Sequence, residues 1–539
     1  MKQVSCLLFS FLAVVCLQSQ AATQTQGSEE PKAASSSNTT ADHSKFESLD
    51  QAFDYAPDVT EACLECHTEA ADQIHQTFHW KWAAMVDGKM VGKGQNGFNN
   101  YCIAARGNQS CTQCHTGYGW RNDNFDFEAQ ENVDCLVCHD TTNTYKKSAA
   151  MSGHPYYEDT KVGDEVIPAV DLRHVAKNVG APQRHNCLAC HANGGGGNGV
   201  KHGDTDLSLI DPVHELDVHM SAEKLNFSCQ TCHSTSGHEI AGRYYDTKAF
   251  IDHGLDMGRS DREGKNVSCE SCHGNIPHQE RQLNNHTTKV ACASCHIPEM
   301  ARGEYATKLS WDWSTAGKLK DGKPYVEDGL FDGVEAHSYM SKKGTFTWGR
   351  NVVPEYRWYK GELKQKTLQD VIDPEQAPID INPPTGSYND PDARIWPFKI
   401  HRGKQPYDSG LNRILPLKLY GPKGSGAFWT EYDWSAALTA GAEKNKVEFS
   451  GNYGFIETNG YWPIKHMVAP SDKALDCNEC HSRDSRLAKL TDFYLVGRDT
   501  NMWVEAFGFM AIFGGLFIVV GHGGYRYFSA LRRKNRKQG

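Results

Sequence analysis

Two long apolar runs stand at the two ends of the chain. The first, Cys6 to Leu17, follows Lys2 and precedes Ser19-Gln20-Ala21. A basic start, an apolar stretch and a small-x-small site predict a secretory signal over residues 1–21. The second, Met502 to Val520, is nineteen residues long with Glu505 as its one charge. That is about enough to cross a bilayer core, so a transmembrane helix is predicted over 500–521. Residues 22–48, rich in Ser, Thr, Gln and Glu, read as a disordered tether. Between His296 and Cys477, Gly, Pro and Asp punctuate the apolar positions, which predicts loops with short helices over 297–476. The longest helical pattern runs from Ser471 into the apolar segment.

The ends also fix an orientation. Arg526, Arg532, Arg533, Lys534, Arg536 and Lys537 follow the second run with no acidic residue among them. The positive-inside rule puts the tail, 522–539, in the cytoplasm and residues 49–490 in the periplasm, anchored to the inner membrane. A formal charge of -10 argues against a nucleic-acid partner, whose footprint is basic. With 39% hydrophobic residues and a mean hydropathy of -0.60, the chain is lean for a conventional core.

Cysteine spacing supplies the missing apolar bulk. C-x-x-C-H occurs eight times, at Cys63-Cys66-His67, Cys111-Cys114-His115, Cys135-Cys138-His139 and Cys187-Cys190-His191, then at Cys229-Cys232-His233, Cys269-Cys272-His273, Cys292-Cys295-His296 and Cys477-Cys480-His481. Two thiols at this spacing bond the vinyl groups of one haem, and the adjacent His reaches its iron. Eight covalent haems c are therefore expected, with the porphyrins forming much of the buried apolar surface. The predicted fold is a mainly α multihaem cytochrome c array with extensive loops and little sheet, plus one C-terminal transmembrane helix. Removing the signal leaves Cys102 as the one cysteine outside a motif.

A low-spin c haem takes a second axial ligand, usually His. His79, His202, His219, His238, His278, His286 and His466 are the candidates, seven for seven irons. His401 either replaces His278 or sits in a substrate pocket. A wire needs every iron closed by two histidines; an enzyme needs one exchangeable position. Lys201, in the loop Gly194–Asp204 (GGGGNGVKHGD), bears on this. Glycines let the backbone approach a flat cofactor, yet a ligating Lys must be neutral, at a cost of roughly 4–5 kcal/mol at pH 7. On the residues alone, a solvated Lys is the commoner case.

Several strings together resemble the octahaem tetrathionate reductase family of multihaem cytochromes. They are TFHWKW (Thr77 to Trp82), NNYC before CTQCHTGYGW, GGGG…VKHGD, LDVHM, and HEIAGR after CQTCH, then NNHTTKVACASCHIP, FKIHRGKQPYD and HMVAP…ALDCNECH. The resemblance runs from about Cys63 to His481. It implies that the haem of the second motif is catalytic, with a Lys nitrogen on its iron; Lys201 is the match. Whether Lys201 lies opposite His115 or displaces it stays open. The resemblance also implies a cysteine on the substrate side of that haem, matched by Cys102, whose thiolate is a nucleophile for a sulfur–sulfur bond. The C-terminal anchor departs from the soluble members.

The expected activity is reduction of tetrathionate to thiosulfate, or of nitrite or hydroxylamine. The alternatives are a non-catalytic conduit between the quinone pool and periplasmic cytochromes, and an oxidase of a sulfur or nitrogen compound. A small anionic substrate calls for basic residues, with Arg350, Arg357, His401 and Arg402 as candidates. A quinol-oxidising cytochrome b subunit is the candidate membrane partner. His522 is either an interfacial residue beside Tyr525 and Tyr527, the commoner fate, or a ligand to a haem b shared with that partner. Mass spectrometry of the mature chain should show loss of residues 1–21 and eight haem additions; fewer than seven would overturn the reading of the cysteines.

Overall fold

The computed structural model describes residues 41–537 except 87–88, 95–96, 102, 105–110, 123, 164 and 243–266. The signal, most of the tether and Cys102 therefore lie outside the described residues. Within them, helix exceeds strand, 30% to 19%, and the rest is turns and loops, the balance of a multihaem cytochrome.

The haem motifs sit at the ends of short helices, as expected. Ala56–Leu64, Leu136–His139, Arg184–His191, Glu270–His273 and Cys292–His296 are examples. In most, the histidine N–H returns to the carbonyl of the first cysteine four residues back, as for His67, His139, His233, His273 and His481. One α-helical turn thus places both thiols and the imidazole on one side. The second motif departs from this. Thr112–Cys114 is a 3-10 turn, the His115 N–H bonds Thr112 three residues back, and His115 itself is extended (φ −69°, ψ 142°). The tighter turn rotates the His115 side chain away from the direction the other motifs share.

Residues 307–463 differ from the expectation of loops and short helices. They hold a nine-stranded sheet: β1 (Thr307–Asp312), β2 (Val326–Phe331), β3 (Val334–Met340), β4 (Gly344–Gly349), β5 (Glu355–Tyr359), β6 (Ile379–Asp380), β7 (Arg394–Asp408), β8 (Arg413–Ile414) and β9 (Tyr453–Pro463). β7 is the spine. It pairs antiparallel with β9 from Phe398–Pro463 to Asp408–Tyr453, antiparallel with β5 and β8, and parallel with β1. Residues 394–401 of β7 are all buried, a run typical of a strand covered on both faces. Pleating puts Lys399, His401, Gly403 and Gln405 on one face, and Lys399, His401 and Gln405 are fully buried. These polar residues obscure the strand in the sequence.

The main core lies between this sheet and the segment ahead of the second motif. It joins Tyr101, Ile103 and Val200 to Trp311, Trp313, Phe346, Leu417, Phe428 and Trp462. The Trp313 indole donates to the Tyr101 carbonyl at 3.1 Å. Asn100, fully buried, donates to the His401 carbonyl at 2.5 Å. It fits only because Gly460 faces it: a Cβ there would meet the Asn100 side-chain oxygen at 2.5 Å. A second core around Leu49, Val59, Tyr118, Leu136, Leu172 and Val175 holds the first and third motifs together.

Two boundaries shift. His43–Lys45 and Glu47–Leu49 form 3-10 turns and Leu49 is buried, so the last part of the expected tether is built into the haem region. The helical pattern from Ser471 yields only Ser471–Lys473 and Cys477–Cys480, and the long helix begins at Met502. That helix runs to Asn535, is capped by Asn501 on the Trp503 and Val504 N–H groups, and buries none of its side chains. It is long and apolar enough to cross a membrane.

Candidate functional site: paired histidines and one exception

Seven pairs of imidazoles stand 6.0–6.4 Å apart, centre to centre, each joining one motif histidine to a histidine from elsewhere in the chain. The pairs are His67 with His43, His191 with His79, His139 with His238, His273 with His219, His233 with His466, His296 with His278, and His481 with His286. A metal–imidazole bond of about 2 Å on each side, plus the ring radius, gives a spacing of about 6 Å across one iron. The residues present therefore fit haem with two axial histidines.

The outer nitrogens agree with this fit. Nδ1 of His139 donates to the Gly180 carbonyl, of His233 to Ala241, of His481 to Val496, and of His238 to the Gln73 side-chain oxygen. A carbonyl only accepts, so each such Nδ1 carries the proton and Nε2 is left with its lone pair for a metal.

Six of the seven expected second histidines thus face a motif histidine. His202 does not. Its ring meets Trp462 edge-on at 5.5 Å, and no motif histidine among the described residues is in ring contact with it. The seventh place is taken by His43, which composition had assigned to the tether. Its signal is faint: one histidine in a polar stretch, twenty residues ahead of Cys63 and in no recognisable string.

His115 is the exception among motif histidines. It is fully buried in a cage of Trp80, Trp82, Trp120, Phe125 and Phe127. Burial lowers its pKa to about 3, so it holds a single proton. That proton is on Nε2, which donates to the Trp80 carbonyl at 2.7 Å, while Nδ1 has no partner. The nitrogen that His139, His233 and His481 leave open is here occupied.

Lys201 lies beside this motif. Its amine is 4.6 Å from the centre of the Trp462 ring, and it is close enough to Cys114 to feel its charge. Burial lowers the amine pKa to about 8, against a weaker opposing effect of Cys114. The cost of neutrality at pH 7 falls accordingly, to roughly 1.4 kcal/mol. The Lys201 loop is pinned by β1 and β7. Lys399 donates to the carbonyl of Val200 at 2.8 Å and to Thr307 Oγ1 at 2.6 Å, and Thr307 donates to the carbonyls of Gly199 (2.8 Å) and His202 (3.0 Å). Gly195, at φ +82°, has to be glycine, because a Cβ would lie 2.9 Å from the Tyr101 ring.

The basic candidates divide. His401 is fully buried with neither ring nitrogen partnered, and its ring meets Tyr101 at 5.4 Å. Burial, with help from the charges of Lys399 and Lys308, holds it neutral. Arg402, on the opposite face of β7, pairs with Glu355 and is half exposed. Arg357 also reaches Glu355, and Arg350 donates to the Gly303 carbonyl. These three arginines are thus engaged elsewhere. Lys308, missed in the sequence, is 4% exposed, its amine 3.4 Å from the centre of the Phe346 ring and 4.2 Å from that of Trp311.

The motifs touch one another. Thiols meet between Cys63 and Cys135, Cys114 and Cys190, Cys187 and Cys229, and Cys269 and Cys292. Cys138 lies near Cys190, Cys232 near Cys272, and Cys295 near Cys480. In motif order this traces 1–3–4–5–6–7–8, with the second motif branching from the fourth.

Comparison with known proteins decides the family. The structure superposes on the crystal structure of an octahaem cytochrome c from Shewanella oneidensis with a TM-score of 0.71 and 38% identity, over 84% of this chain and 96% of that one. This protein belongs to the octahaem cytochrome c family. Two family models match parts of this chain: cytochrome c554 and c-prime over residues 62–140, and bacterial cytochrome c over 308–484. An uncharacterized protein of Archaeoglobus fulgidus is 26% identical over 232 residues, 35% of this chain and 77% of that protein. The octahaem cytochrome is thus a redox protein that binds haem c covalently.

Proposed function

We propose that this octahaem cytochrome is a respiratory reductase of a small oxyanion, tetrathionate foremost, with nitrite or hydroxylamine reduced at the same iron. The observation that supports it is His115, whose Nε2 is committed to a backbone carbonyl. Seven haems would be held by the seven histidine pairs and would supply an electron relay. An eighth haem would be held by Cys111 and Cys114, with Lys201 as its nitrogen donor in place of His115, and bound there it would supply the site at which substrate is reduced.

Bound haem delivers electrons to the substrate. Tetrathionate takes two, its central sulfur–sulfur bond breaks, and two thiosulfate ions leave without needing a proton. The chain's part is placement and charge. Thr307 and Lys399 hold the loop so that the Lys201 amine is presented neutral. His401, buried beside Tyr101 with both ring nitrogens unpartnered and held neutral, offers polar ring atoms to the substrate in place of the arginines expected from sequence. In that reduction the Cys102 thiolate attacks one central sulfur, so that a bond to Cys102 forms as the substrate's sulfur–sulfur bond breaks and the first thiosulfate leaves; the two electrons then cleave the new bond, releasing the second thiosulfate and restoring the thiolate. The helix Met502–Asn535 anchors the protein in the inner membrane, with the haems in the periplasm, eight in number. A quinol-oxidising membrane subunit or periplasmic cytochromes supply electrons.

Lys201→His tests the site. A stronger ligand on that iron should shift the spectrum and midpoint of one haem, leave the other seven unchanged and lower tetrathionate turnover at least tenfold. An unaltered spectrum would return the protein to the conduit reading. Truncation before Met502 should release a soluble protein that accepts electrons from artificial dyes but not from quinol; retention in the membrane fraction would refute the anchor.

A further inference from the structure

The seven histidine pairs are not equivalent. Among them, one outer nitrogen faces a carboxylate at hydrogen-bond distance within the described residues: His466 Nδ1 lies 3.2 Å from Asp204. His219 comes next, with Asp217 at 3.9 Å, beyond a hydrogen bond. The other outer partners identified above are neutral carbonyl and amide oxygens.

The Asp204 carboxylate is fixed in place. It is 1% exposed and accepts from the backbone N–H groups of Lys465 (2.6 Å) and His466 (2.8 Å). Thr205 Oγ1, at 3.2 Å, is the other polar atom at His466 Nδ1. Across the pair, His233 gives its own Nδ1 to the Ala241 carbonyl, so both Nε2 atoms point inward.

A buried negative charge accepting the Nδ1 proton pushes the imidazole toward imidazolate. That strengthens donation to the iron and favours the ferric state, whose charge is one unit more positive. We propose that Asp204 makes the haem held by Cys229 and Cys232 the lowest-potential haem of the array. This rests on the reading of His233 and His466 as axial ligands to one iron.

Position gives the inference its function. The fifth motif touches the fourth through Cys187 and Cys229 and lies near the sixth through Cys232 and Cys272. The fourth touches the second through Cys190 and Cys114. A low-potential fifth haem is an uphill step for electrons that separates the motif 6–8 limb from the limb that feeds the Lys201 haem. Electrons that have crossed it are retained on the catalytic side until substrate takes them in pairs. Lys201 and Asp204 lie three residues apart, so one loop sets both the catalytic ligand and this step.

The test is a redox titration of the full-length, haem-loaded protein, followed by optical and EPR spectra. Asp204→Asn keeps an acceptor for the two backbone N–H groups and removes the charge. It should raise the midpoint of the last haem to be reduced enough for a tenfold or greater rise in its reduced-to-oxidised ratio at fixed potential, about 59 mV. Asp204→Glu should restore part of the shift, and Asp217→Asn should move its own neighbour less. His466→Ala identifies the haem, since one bis-histidine EPR signal must disappear. If Asp204→Asn fails to mature, wild type decides: the signal lost in His466→Ala has to belong to the haem reduced last. Another haem in last place, or an unshifted titration in Asp204→Asn with all bis-histidine signals intact, overturns the role of Asp204 and leaves the pairing standing. A His466→Ala protein that retains every bis-histidine signal overturns the pairing itself, and this inference with it.

Discussion

Paired imidazoles, 6.0–6.4 Å apart and in several cases drawn from segments far apart in sequence, are the constraint to which the rest of the fold answers. Bringing His286 to His481 spans nearly two hundred residues, and His233 to His466 more. In three pairs a loop carbonyl, of Gly180, Ala241 or Val496, fixes the Nδ1 of the motif histidine. With so much of the chain committed to these brackets, regular secondary structure shrinks to a turn or two around each motif. The sheet takes the remaining task, closing over the second motif and pinning the Lys201 loop.

The second motif shows what one turn of backbone decides. A 3-10 bond in place of an α-helical one swings His115 into an aromatic cage, where a carbonyl takes its Nε2 proton. Thr307 of β1 captures the carbonyls of Gly199 and His202 and so fixes the loop that carries the buried Lys201 beside the second motif. Burial lowers the Lys201 amine pKa to about 8, and Lys399, which secures its loop, is itself buried and donates to three oxygens.

The cysteine spacing made the haem sites legible, because thioether chemistry demands two thiols and a histidine at fixed intervals. The second histidines were half legible. Abundance showed there were enough, but pairing is a tertiary fact, and His43 and His202 were exchanged because one sits in polar sequence and the other beside Lys201. The sheet was hidden by its own function: Lys399, His401 and Gln405 interrupt the apolar pattern of β7, and Gly403 and Gly460 imitate turn signals although Asn100 requires them. Arg402 looked like a substrate ligand, yet the pleat turns it to the far face and Glu355. Lys308 gave no signal, since a lysine flanked by Thr and Leu reads as solvated.

The state of the eighth iron tests this account most directly. EPR and near-infrared magnetic circular dichroism on the fully oxidised, purified protein count irons by their axial ligands. The orientation of His115 predicts seven bis-histidine irons and one that is not. Eight bis-histidine irons would contradict it.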